Sequence, residues 1–195
     1  MRLLLALAIL ALSPTLAFAH TGIGHTAGFA YGFAHPIGGI DHVLAMLAVG
    51  VFAFVLGGRA LWLVPLSFVG MMIAGFVLGI AQVDVPFVEL GIALSSVVIG
   101  GAAAMGRPMP VALAMGLVGV FAVFHGHAHG AEMPEATGGL TYALGFVAAT
   151  ALLHLGGMAA ALGVARIVGR HGRLVAQVAG GAFALAGVGV LAGWL

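Results

Sequence analysis

The chain has 195 residues, of which 63% are hydrophobic and 6% charged, with a mean hydropathy of +1.26 and a formal net charge of +1. A soluble domain of this size has too little interior to hide so much apolar surface, so the composition places the protein in a lipid bilayer as an all-α bundle. Cysteine and lysine are both absent, which excludes disulfides, thiolate ligands, a Walker A phosphate loop (and with it an ATPase domain in this chain) and lysine Schiff-base chemistry; with no basic cluster interleaved with aromatics, nucleic acid is not an expected partner.

Residues 1–19, MRLLLALAILALSPTLAFA, join one positive charge, a short apolar run, a Ser-Pro break and Ala17-Phe18-Ala19, the small-x-small pattern that signal peptidase reads. Cleavage after Ala19 is expected. The alternative, an uncleaved first helix, is disfavoured because the run from Leu3 to Leu12 is short for a span of about 20 residues. Cleavage makes His20 the amino terminus, where amine and imidazole can chelate a metal together; a terminal histidine left by chance is the competing reading. Residues 20–36, with His25, read as a periplasmic segment rich in histidine and glycine.

Residues 37–195 then read as six membrane spans, near Ile37 to Gly57, Leu61 to Ala81, Pro86 to Met105, Pro108 to His125, Gly139 to Val164 and Leu174 to Trp194. Prolines 36, 86 and 108 sit at or just before a start, where a missing N–H costs nothing. With a periplasmic amino terminus, Arg59, Arg107, Arg166, Arg170 and Arg173 all fall in cytoplasmic loops of the inner membrane, as the positive-inside rule asks, and both mature termini are periplasmic. Asp84, Glu89, Glu132 and Glu135 fall on the outer side. Trp62 at one interface, with Tyr142 and Trp194 at the other, suits an aromatic belt. Gly75-x-x-x-Gly79 and the Ala159/Gly163 pair are close-packing signals.

Two polar clusters interrupt this apolar pattern, "HPIGGIDH" (His35 to His42) at the outer start of the first span and "FHGHAHGAE" (Phe124 to Glu132) at the outer end of the fourth. His35 and His42 are seven apart, which a continuous helix places on one face, with Asp41 beside them. His125 and His129 share a face at i, i+4, with Glu132 beyond. Imidazole plus carboxylate without sulfur suits nickel, cobalt or zinc, and general affinity order does not choose among them. The bland readings are that Gly126-x-x-x-Gly130 is a packing motif with solvated histidines, and that Asp41 and His42 are a structural hydrogen-bonded pair. His154, alone in the fifth span, fits a helix-to-helix hydrogen bond or a ligand; Met46, one turn after His42, fits a soft ligand or packing filler. His171, among arginines, reads as solvated.

With these residues in view the sequence closely resembles the HupE/UreJ family of hydrogenase and urease accessory membrane proteins, marked by H-x5-D-H in the first mature span and F-H-G-x-A-H-G-x-E in the fourth. Nickel/cobalt permeases carry a related H-x4-D-H motif; the spacing here is one residue longer, so that family is not assigned. The resemblance implies a permease for Ni2+, or in some members Co2+, supplying metalloenzyme assembly, with His35, Asp41, His42, His125, His129 and Glu132 carrying that role and no prosthetic group. His127 falls on a variable position of the motif and joins the set only by crowding.

With no nucleotide site, transport reads as facilitated diffusion or as dependent on a coupling ion. An intramembrane zinc hydrolase, or a non-transporting metal sensor or delivery protein, would draw on the same side chains. Ser67, Ser95 and Ser96 are the only serines after the leader and none lies in G-x-S-x-G, which argues against a serine nucleophile. Histidine must be neutral to ligate a metal, so metal uptake is expected to decline as external pH falls through about 6.5. Initial uptake rates check this, and a flat rate from about pH 7.5 to about 5 would count against imidazole entry ligands.

Overall fold

The computed structural model describes residues 25–135 and 137–195, with side chains from residue 28 onward. The expected leader and His20 lie outside the described residues. Within them the chain is helical, with no strand: α1 (His25–Gly38), α2 (Ile40–Leu56), α3 (Ala60–Ile80), α4 (Val88–Met105), α5 (Val111–Ala131), α6 (Gly139–Val168), a 3-10 turn (Gly169–His171) and α7 (Gly172–Leu191).

Four of the described stretches are long and apolar enough to cross a membrane, Ala60–Ile80, Val88–Met105, Val111–Ala131 and Gly139–Leu191, and the bent pair formed by α1 and α2 makes a fifth if it is one span. The last stretch is 53 residues long and is not one rod. Gly169 takes a φ of 59°, a left-handed conformation that glycine adopts without penalty. The turn there sends α7 back along α6, so that Gly157 and Ala161 of α6 line one crevice with Ala176 and Phe183 of α7. Leu66, Val77, Val120, Leu152 and Leu185 lie exposed on the bundle surface. Water would not tolerate so continuous an apolar exterior, whereas lipid requires it.

Helix α1 was not expected. Residues 25–36, read from sequence as part of a periplasmic segment, and residues 37–38, read as the start of the first span, form fourteen residues of helix whose Gly32 lies against the Tyr142 backbone of α6. Pro36 stands inside α1 near its end rather than at the start of a helix. Its missing N–H and its ring weaken the ladder just ahead of Gly39, where the chain bends by 83° into α2. His35 and His42 therefore do not share one continuous helical face. Tyr142 departs from expectation too: Trp62 and Trp194 are exposed as belt residues should be, but Tyr142 is buried inside the bundle.

The closest helix pair is α3 with α5, and the two small-x-x-x-small motifs explain it. A Cβ on Gly75 would strike the Val123 carbonyl and one on Gly79 the His127 carbonyl; one on Gly126 would strike the Met72 carbonyl and one on Gly130 the Phe76 carbonyl. Each motif thus lies in the other's backbone groove, which is how helices associate in lipid when no hydrophobic effect drives them together. Loops alternate between two ends of the bundle. Arg59, Arg107, Arg166, Arg170 and Arg173 gather at one end, where Arg173 Nη2 donates to the Gly106 carbonyl at 2.9 Å, and Glu89 and Glu132 meet at the other.

Gly126→Val is expected to lower folding stability by about 1–3 kcal/mol or more through overpacking. Gly116→Ala, where a Cβ meets nothing within 4 Å, serves as control. Thermal unfolding in detergent reads both, and equal midpoints would show that α3 and α5 do not depend on this contact.

Candidate metal route

The break at Gly39 creates a helix start in the middle of the first polar motif. A new helix has free N–H groups in its first turn and favours negative charge there. Asp41 supplies both: its Oδ1 accepts the His42 backbone N–H at 2.8 Å and pairs with His42 Nδ1 at 3.0 Å. A carboxylate can only accept, so His42 carries its proton on Nδ1 and leaves the Nε2 lone pair free. Gly39 must be small, because a Cβ there would lie 2.7 Å from Asp41 Oδ1.

On α5 the glycines of the second motif fix the histidines. Gly126 and Gly130 face α3, which turns His125 and His129 into the bundle, both fully buried, and turns His127 the other way. His127 Nε2 bonds the Val83 carbonyl in the α3–α4 loop at 2.8 Å, so it ties a loop down and stands apart from the other histidines. His125 has a partner of its own. Ser95 on α4 donates its hydroxyl to the Ile92 carbonyl at 2.5 Å and lies 3.0 Å from His125 Nε2. With its one proton committed, Ser95 accepts from His125 Nε2–H and leaves Nδ1 free.

Four imidazoles from three helices then stack across the bundle. Ring centroids are 4.8 Å apart for His35 and His129, 5.3 Å for His42 and His129, 4.7 Å for His42 and His125 and 6.2 Å for His35 and His42. Two imidazoles on one ion at a metal–nitrogen distance of about 2.1 Å have centroids roughly 4.5–5.3 Å apart, so three of these pairs have a fitting spacing and His35 with His42 does not. The donor atoms do not converge, however: among the described residues no group of three or more His, Asp or Glu is placed to hold a metal ion. Three or more ligands can share an ion here only after the rings turn.

The row begins at an open cavity of about 510 Å3 lined by Tyr31, His35, Asp41, His42, Glu89 and Glu132. His35 Nε2 lies 3.3 Å from Glu132 Oε2. Side-chain exposure falls from 53% at Glu132 and 30% at His35, through 25% at Asp41 and 10% at His42, to nothing at His129 and His125. His42 Nε2, His125 Nδ1 and both nitrogens of His129 are buried without a hydrogen-bond partner, as is the Tyr142 hydroxyl. Buried polar atoms are nearly always paired, by water or ligand where not by protein, so this concentration of unpaired atoms makes the row a candidate binding site.

Met46 is fully buried among core residues and does not line the cavity. His25 is the first residue of α1. Glu89, Ser95 and Tyr142 are named from sequence for other reasons, and none of them as part of the metal site. Glu89 carried a legible signal, an acid at the outer end of a span; Ser95 was weighed only as a nucleophile, and its use as a hydrogen-bond partner depends on which helix lies opposite.

A family model described as HupE / UreJ protein matches residues 7–190. The curated Protein HupE of Rhizobium leguminosarum bv. viciae is 46% identical over 188 residues, covering 96% of this chain and 95% of its own. No solved structure matches the chain. With nearly the whole length aligned, this membrane chain belongs to the HupE/UreJ family.

Proposed function

We propose that the protein is an inner-membrane permease that carries a divalent transition metal, Ni2+ before Co2+, from periplasm to cytoplasm to supply hydrogenase or urease assembly. One observation carries the reading: a row of imidazoles with unpaired, buried nitrogens that begins at an exposed, carboxylate-rimmed cavity. In this reading α2 to α7 are six spans, the arginine end is cytoplasmic and the Glu132 end periplasmic, so the cavity opens toward the metal supply.

A hydrated dication cannot enter hydrocarbon; its water ligands must be replaced one by one. Glu132, Glu89 and Asp41 attract the ion at the mouth, and His35 offers the first imidazole. His42, with its Nε2 exposed to the interior by Asp41, and His129 take it next, followed by His125 through Nδ1. Neutral ligands deeper in the route keep binding moderate, so that the ion leaves again. Facilitated diffusion suffices energetically, because a potential of about 100 mV, negative inside, favours a dication by roughly 4.6 kcal/mol.

Flux into liposomes carrying the purified protein, read with an internal metal-sensitive dye and with nickel, cobalt and zinc supplied separately, tests the reading. Nickel flux is expected, and His42→Ala or Asp41→Asn is expected to remove nearly all of it while the protein stays folded. Binding without flux would indicate a sensor or delivery role, and turnover of lipid or peptide with retained metal a hydrolase. Ser95→Ala is expected to weaken nickel binding by about 10-fold or more, the usual cost of losing a group that orients a ligand. Unchanged binding in that variant, read by calorimetry, would remove His125 Nδ1 from the route.

A further inference from the structure

The row of imidazoles does not end at His125. One face of α6 carries Tyr142, Phe146, Thr150 and His154 at steps of four, and all four are buried. The ring of Phe146 stacks on His129 at 4.7 Å with an interplanar angle of 6°, which sets the level of that part of α6. Eight residues further along, at about 1.5 Å per residue, His154 lies about 12 Å deeper toward the arginine end. Phe68 of α3 lies against both histidines, its ring centroid 5.6 Å from His125 and 5.0 Å from His154.

His154 is 1% exposed, and neither of its ring nitrogens has a hydrogen-bond partner. The helix-to-helix hydrogen bond that its position suggested is therefore not made. Its helix does pack closely on α2, since a Cβ on Gly50 would strike the His154 carbonyl, but this contact is of backbone and asks nothing of the imidazole. An unpaired ionisable group inside a membrane bundle is costly, and a purely structural position there would be better filled by an apolar side chain. The crevice that His154 lines is otherwise apolar, with Leu61, Pro65, Leu155 and Met158.

We propose that His154 is a separate, inner station for the transported divalent metal, reached from His125 when the Phe68 ring moves aside, and the last imidazole before the apolar cytoplasmic half. The proposal rests on the permease reading. Phe68 in this arrangement is a barrier between two stations: with it in place the ion is held on the outer histidines, and with it displaced the ion passes to a neutral donor that holds it weakly enough for release.

The test is His154→Leu in the full chain, read three ways. Leucine packs where imidazole did and removes two unpaired nitrogens, so the thermal unfolding midpoint is expected to stay or rise. Nickel binding in detergent is expected to stay within about twofold of wild type, since the outer histidines are intact, while nickel flux into liposomes falls by about tenfold or more. Retained flux would overturn the proposal, and so would loss of binding together with flux, which would make His154 part of the outer cluster. Should the leucine variant fail to fold, His154→Met and His154→Ala decide in its place. Methionine keeps a donor sulfur and is expected to carry more flux than alanine at equal folded protein; equal fluxes overturn the proposal. Failure of the permease reading looks different, because wild type itself would then show no flux for any variant to lose.

Discussion

The backbone contact between α3 and α5 governs how the remaining polar groups are arranged. Helices in lipid gain nothing from hiding apolar side chains from one another, so close approach has to come from shape and weak backbone contacts. Gly75 and Gly79 receive the carbonyls of Val123 and His127, and Gly126 and Gly130 receive those of Met72 and Phe76. Once that seam is closed, the rotation of α5 about its own axis is set. Residues 125 and 129 must then face the interior and residue 127 must face away, whatever chemistry their side chains carry. The motif "HGHAHG" is two interleaved patterns, glycines that dock the helix and histidines that the docking aims.

Burying imidazoles without partners is expensive, and the fold accepts that expense at several positions along one axis. His42, His125, His129 and His154 all keep at least one unpaired nitrogen. Where a hydrogen bond is made, it occupies one nitrogen and leaves the other: Asp41 pairs with Nδ1 of His42 and Ser95 with Nε2 of His125. Such outer partners fix the tautomer and aim the remaining lone pair. His129 instead is held by stacking on Phe146, which restricts its plane but leaves both nitrogens open. The arrangement is that of ligands kept ready rather than of a closed coordination sphere, in line with the absence of a converged three-ligand group among the described residues. A carrier of ions needs that looseness, since a preformed site of high affinity would be slow to empty.

Charge is graded along the same axis. The carboxylates Asp41, Glu89 and Glu132 line the mouth, whereas the buried positions beyond His42 hold neutral-capable imidazoles and hydroxyls. Under the proposed function an ion moving inward would exchange strong electrostatic attraction for directional but uncharged donors, as the surrounding dielectric falls and each charge would count for more. The arginine end offers the opposite sign. In the proposed orientation it fixes topology.

Much of this was legible in the chain itself. Composition decides membrane against water because too little polar surface exists to coat a soluble fold, and long apolar runs locate helices because each must satisfy its backbone within itself. The alternation of arginine-bearing and acid-bearing loops separates the two ends, and the spacings within the two polar motifs show which histidines can act together. Other features were decided only by tertiary structure. The bend at Gly39 converts a seven-residue spacing from one helical face into a corner, yet His35 still meets His42 because α1 is held against α6. Tyr142 reads as an interfacial aromatic but is buried by α1 and α3. His127 turns to a loop, His154 loses its expected partner and Ser95 gains one. The physical reason is common to all of them: helical periodicity is a property of neighbours in sequence, whereas the rotation of one helix against another is set by contacts between residues far apart in the chain, and those rotations decide what each polar atom can reach.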